Sequence, residues 1–173
     1  MIKTKNLQMI PCKLEYFEAI LNDGKQLGQM LDITTAEDWN SFPEAIPFGY
    51  EYLKSNPQAL GWWMYLFIHA EDKKLIGMGG YKGAANEAGK IEIGYAIAPA
   101  YRKLGLATEA ARGLIEYAFS HPHIKTVDAH TLAETNPSTK ILEKVGMEKL
   151  ETIVDPKDGE IWHWRLNREN YKT

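Results

Sequence analysis

Hydrophobic positions along this chain change period several times, and each change marks an element. From Thr4 to Pro11 a short apolar-rich run ends on proline, which predicts a first strand. Leu14, Phe17, Ile20 and Leu21 then recur at helical spacing, with Gly24 as a stop. Between Asp32 and Asn56 the pattern is helical but broken by Pro43 and Pro47, in a stretch dense in Trp39, Phe42, Phe48, Tyr50 and Tyr52. Three runs follow, WWMYLFIHA, LIGMGGYKG and KIEIGYAIA, joined by the polar turns EDKK and NEAGK; connections this short predict an antiparallel meander. Over Leu106–Phe119 the period is helical again, with Ala107, Ala111, Leu114 and Ala118 on one stripe and Glu109, Arg112 and Glu116 on the other. A strand TVDAHTL, a helix STKILEKVG and two strands, EKLETIV and EIWHWRL, complete the order. Strand, two helices, three strands, helix, strand, helix, two strands is a mixed α/β domain around one sheet.

Composition narrows the function classes. The 173 residues suit one domain spanning 1–173, with 45 % apolar and 25 % charged residues and a net charge of −3. No basic excess points to nucleic acid. No apolar run approaches roughly 18 residues and no leader pattern opens the chain, so no membrane partner is expected and the cytoplasm is the default location. The single cysteine, Cys12, rules out an intrachain disulfide and reads as a small buried hydrophobe. His69, His121, His123, His130 and His163 show no metal-ligand spacing, and no metal is expected.

The entrance to the long helix carries the first chemistry. Arg102 and Lys103 precede Leu104, Gly105, Leu106, Ala107 and Thr108 directly after a strand. A helix N-terminus offers unpaired N–H groups at its positive dipole end, and small residues let an anion approach them. The amides of Leu104 to Thr108 thus form a candidate phosphate cradle. The same residues also suit close helix packing, and spacing alone leaves both readings open. Neither a P-loop nor a GxGxxG fingerprint is present.

The stretch EIGYAIAPAYRKLGLATEA resembles the strand–loop–helix unit of the GNAT acyltransferases, in particular the RimJ/RimL-like group. Arg102, Gly105 and Ala107 match the family signature of Arg or Gln, two residues, Gly, one residue, Gly or Ala. ATEA at Ala107–Ala110, ILEKVGM at Ile141–Met147 and TKNLQMIP at the start are similar to further family segments. Two departures stand out. Lys103 occupies a place where many relatives have glycine, and Asn136 and Ser138 are separated by Pro137 alone where many relatives have two residues.

The resemblance implies a mostly antiparallel sheet of about six to seven strands, splayed in the middle and flanked by about four helices. It implies acetyl-CoA as cosubstrate, with pyrophosphate on the Leu104–Thr108 amides beside Arg102 and Lys103. The pantetheine arm would lie along Ala96, Ile97 and Ala98, with Asn136 a further contact. Direct transfer of the acetyl group to a primary amine would follow.

An alkylammonium, with a reference pKa near 10.4, must lose a proton before it attacks. Glu92 is the candidate base, a role the resemblance supports. It shares a strand face with Gly94 and Ala96, opposite Ile91, Ile93, Tyr95 and Ile97, so it borders a hollow. A raised pKa would suit that role. The plainer reading is a half-exposed glutamate paired with Lys or Arg. Ser138 is either the group that meets the leaving thiolate or the N-cap of its helix. His130 is either a further base or structural.

For the acceptor, Trp39, Trp62 and Trp63 are candidate slot residues, Trp62 and Trp63 facing opposite ways if they lie in a strand. No acidic run draws a polycation, so a small amine or a protein N-terminus is expected, on a monomer or homodimer. The alternative is an acetyl-CoA-binding sensor without turnover.

Overall fold

The computed structural model describes residues 1–171. Strand β1 (Ile2–Lys3) and β2 (Leu7–Pro11) lead into helices α1 (Leu14–Asn22) and α2 (Lys25–Leu31), a short β3 (Thr34–Thr35) and α3 (Ala45–Ser55). The meander follows as β4 (Met64–His69), β5 (Lys74–Tyr81) and β6 (Lys90–Ile97). Then come α4 (Leu106–Phe119), β7 (Thr126–Leu132), α5 (Pro137–Lys144), β8 (Glu148–Asp155) and β9 (Gly159–Asn167). One sheet runs β1-β2-β4-β5-β6-β7-β9-β8, with β3 parallel to the far end of β5. Along the main path every pairing is antiparallel except β6–β7.

The described residues therefore form nine strands and five helices, more than the seven and four read from the pattern. β1 and β3 have two residues each, too short for any periodicity. The apolar period fails over 32–44, which is not helical, and α2 lies ahead of it, after Gly24 has turned the chain through a left-handed φ of 73°. Pro47 does not break α3, because it falls in the first turn, where its missing N–H has no helical partner to lose.

The sheet has a core on each face. Ile91, Ile93 and Ile97 of β6 pack beneath α4 with Leu106, Ala110, Leu114 and Ala118. Leu66, Ile68, Leu75 and Met78 pack beneath α1 and α3, with Phe17, Ile46 and Leu53, and Cys12 is buried there. β5 and β6 approach closely because Gly77 and Gly79 have no side chain; a Cβ on either would collide with the Ala96 or Gly94 carbonyl. No helix among the described residues is long and apolar enough to cross a membrane.

Candidate active site

The site begins where the sheet comes apart. β6 and β7 pair in parallel over Lys90–Glu92 and Thr126–Asp128, and beyond that point they diverge. Asp128, fully buried, ties the closed end of the split. It accepts from Lys90 Nζ of β6 at 3.0 Å, from Arg165 Nε and Nη2 of β9 at 2.8 and 2.9 Å, and faces His163 Nε2 at 2.5 Å. Burial pushes its carboxyl up, but these partners outweigh burial and hold it at about 2.

Past the split, β6 keeps one edge bonded and opens the other. The Ala98 N–H donates to Ile76 of β5 at 2.7 Å, and the Glu92 carbonyl accepts from Lys82 at 3.0 Å. Backbone direction alternates along a strand, so Tyr95 and Ile97 turn their backbone groups into the gap. Arg102 Nε donates to the Ile97 carbonyl at 3.1 Å, fixing the start of the next loop against this edge. Ala98 departs from its expected place. It is fully buried, its N–H goes to β5 and its carbonyl accepts from Tyr101, so neither backbone group faces the cleft.

The loop then curls into α4. Lys103 (φ 63°) and Gly105 (φ 81°) are both left-handed, and Gly105 is the N-cap of α4. The first intrahelical bond runs from the Glu109 N–H to the Gly105 carbonyl, leaving the amides before it at the helix mouth. A cleft of about 680 Å³ opens there, between α4, α5 and the free edge of β6. Ala96, Ile97, Arg102, Lys103, Gly105, Leu106, Ala107, Thr108, Asn136 and Ser138 all line it. Leu104 does not: its side chain is 65 % exposed and borders a separate groove with Lys3 and Lys5. Lys140 and Lys144, one helical turn apart on α5, add two cations to the wall that sequence reading overlooked.

Deeper in the cleft lies an unpaired group. The Tyr95 hydroxyl is buried without a partner among the described residues, and both Tyr95 and Ser138 line the cleft. Burial raises the phenol to about 12. Ser138 is not the helix cap. Asn136 caps α5, its Oδ1 accepting from the Thr139 N–H at 3.0 Å while Thr139 Oγ1 accepts from the Asn136 N–H at 3.0 Å. The proline at the first helical position favours that cap, two residues earlier than expected.

Glu92 sits on the opposite face of β6, as its alternation predicts. Its side chain is 21 % exposed, and a Cβ built on Gly94 meets nothing within 4 Å among the described residues. Oε1 contacts Lys82 Nζ and lies 2.9 Å from His130 Nδ1. Burial raises the Glu92 pKa, but the bonds from Lys82 and His130 prevail and the carboxyl falls below its ordinary value. A raised pKa was expected of a base; the lysine pairing of the plainer reading is what the structure has.

The sequence profile described as "Acetyltransferase (GNAT) domain" matches residues 15–148. The chain belongs to the GNAT acetyltransferase family. It is 28 % identical over 166 residues to a protein of Bacillus subtilis (strain 168) named uncharacterized N-acetyltransferase YjdG, covering 95 % of this chain and 96 % of that one. The ribosomal-protein-S5-alanine acetyltransferase of Vibrio fischeri has the same fold at a TM-score of 0.71 and 14 % identity, over 99 % of this chain and 98 % of that one. RimL, the ribosomal L7/L12 α-N-protein acetyltransferase solved with coenzyme A, superposes at a TM-score of 0.69 and 11 % identity, over 95 % of both chains.

Within this GNAT domain the three tryptophans separate, and none lines the cleft. Trp62 packs on the α4 side against Tyr81 and His121, with ring centroids 5.2 and 4.8 Å apart. Trp63 lies on the Glu92 side, stacked on Tyr52 at 4.0 Å and tilted against Phe48 at 5.9 Å. Trp39 is wedged between the two cores. Ser41 and Phe42, just after Trp39, reach the cleft instead.

Proposed function

We propose that this GNAT chain is an N-acetyltransferase that moves the acetyl group of acetyl-CoA directly to a primary amine. What carries the reading is one cleft that joins an amide cradle, a free strand edge and a buried unpaired hydroxyl. The Leu104–Thr108 amides and Arg102, Lys103, Lys140 and Lys144 suit a pyrophosphate; charge-assisted hydrogen bonds add about 1.5–3 kcal/mol each. The open edge at Tyr95, together with the Ile97 N–H beside the carbonyl that Arg102 holds, suits the amides of a pantetheine arm. Tyr95 and Ser138 stand where a thioester sulfur would end, and Tyr95 supplies the O–H that an emerging thiolate needs.

Glu92, ionised and half sheltered, receives the acceptor ammonium on its open side. The proton passes to Oε1 or on to the His130 ring beside it. A carboxylate held this low is a weak base while Lys82 is bonded to it, so the acceptor has to displace that lysine first. Phe48, Tyr52 and Trp63 form an aromatic wall on this side, with Phe48 63 % exposed. That wall and the paired charges around Glu92 favour an amine on an uncharged or mildly polar body, such as a small molecule or a protein N-terminus.

The Lys82 pairing also gives the sensor reading its one supporting observation, since it blocks the candidate base. Thermal melting with acetyl-CoA, followed by thiol release across an amine panel, tests both. A melting shift with amine-dependent thiol release supports the enzyme. A shift with no release by any amine supports the sensor, and no shift removes both.

A further inference from the structure

We propose that Lys82 is a self-acetylation site: its ε-amine, seated on the Glu92 carboxylate, takes the acetyl group of acetyl-CoA when no other amine is present. This rests on the reading of the cleft and of Glu92 given above. Lys82 directly follows β5 and faces Glu92 across the strand pair, its N–H donating to the Glu92 carbonyl at 3.0 Å. Its ammonium touches Oε1, the oxygen that His130 Nδ1 also approaches at 2.9 Å. Any acceptor must bring its own ammonium to that same carboxylate, so Lys82 already holds the acceptor's place.

The arm is free to travel. The Lys82 side chain is 61 % exposed while its partner is 21 % exposed, and a pair this open to water holds its lysine only weakly. From Glu92 toward the cleft the next residues on the same face are Gly94, above which there is open space, and Ala96, which lines the cleft. Gly94 is two residues on, about 7 Å at strand rise, a distance comparable to a lysine arm. Other paired lysines lack this setting. Lys13, Lys73 and Lys157 pair with the exposed Glu15, Asp32 and Glu44, and Lys90 is held by buried Asp128 at the closed end of the split.

In the transfer the Nζ–C bond forms as the C–S bond breaks. The nitrogen gives up two protons: one leaves to solvent through Glu92 and His130, and the other balances the proton that the sulfur takes up as free thiol. The product is a neutral acetyl-lysine that no longer pairs with Glu92.

The test incubates the purified protein with acetyl-CoA and no amine, then maps acetylation by peptide mass spectrometry. Lys82 should be modified with a first-order rate independent of protein concentration, about 10²-fold faster than Lys73 or Lys157. Glu92→Gln should slow it by a similar factor, and Lys82→Arg should abolish it while keeping the acetyl-CoA melting shift. If acetyl-CoA shifts melting and free amines are acetylated, yet Lys82 gains acetyl no faster than Lys73, the proposal fails and the enzyme reading stands. If acetyl-CoA neither shifts melting nor acetylates any amine, both fail together.

Discussion

Replacing Asp128 by asparagine keeps the size of the side chain and removes its charge, which tests whether the closed end of the split is held electrostatically. The step from an ordinary 3.8 to about 2 corresponds to about 2.5 kcal/mol at 1.36 kcal/mol per pH unit. Removing one partner from a buried charge cluster costs about 3–5 kcal/mol when the others stay behind unmatched. Asparagine still accepts one bond, so a loss of about 2–4 kcal/mol is expected, which lowers Tm by roughly 5–15 °C in a domain of this size. The sign with pH follows from the folded pKa lying below the unfolded one. The carboxylate's contribution is complete above about pH 5 and fades as pH falls toward about 2, so the gap between wild type and variant should close over that interval. Thermal melts by circular dichroism near neutral pH and at a few acid points read this directly. Equal Tm values near neutral pH, or a gap that persists at the lowest pH, would refute the clamp.

Gly105→Val should abolish the acetyl-CoA melting shift. A Cβ there meets nothing within 4 Å among the described residues, so the defect arises from the left-handed φ of 81° and from crowding of an approaching phosphate; an intact shift in a folded variant argues against the cradle. Glu92→Gln should lower kcat by about 10²-fold with little change in acetyl-CoA affinity, and part of the loss should return at high pH as free amine accumulates; undiminished kcat near neutrality would move the base to His130. Tyr95→Phe removes a buried hydroxyl that has no partner among the described residues, so Tm should hold or rise while kcat falls about tenfold; a drop in Tm with unchanged kcat would make Tyr95 structural. Trp63→Ala should raise KM for the amine more than for acetyl-CoA, whereas Trp62→Ala, on the α4 side, should act through stability, at about 3–5 kcal/mol; the reverse pattern in steady-state kinetics and melts would overturn the assignment of the two faces.

What the sequence made legible was local. Period alone located the meander, α4 and β7, because each of these elements buries one continuous stripe or face against its neighbours. Alternation placed Glu92, Gly94 and Ala96 together opposite the isoleucines, and the structure keeps that division. Short or interrupted elements were missed for a physical reason: β1 and β3 bury too little to imprint a pattern, and α2 is seven residues long with one fully buried side chain, Leu27. The cap of α5 was placed two residues late because serine and asparagine are both good caps, and the choice was made by Thr139 closing a reciprocal pair with Asn136.

Charge partnerships were the least legible, and they decide the chemistry. Asp128 stood in plain view as an acid inside an apolar strand, a signal that it must be paired or neutral. Its partners come from β6 and β9, with Arg165 37 residues away in sequence, and only the assembled sheet names them. Glu92 shows the same limit with a functional consequence. Its face was readable, but its ionisation was not, because Lys82 reaches it from just beyond the end of β5 and His130 from across the split. The sign of the pKa shift therefore came out opposite to what a hollow alone would produce: burial raises a carboxyl, and two donors on one oxygen more than reverse that. A carboxylate held this way suits an ammonium and is a weak proton acceptor while Lys82 is paired with it. Under the proposal that Glu92 is the base, the incoming amine has to take the place of Lys82 there, and that exchange would link recognition of the acceptor to activation of the base.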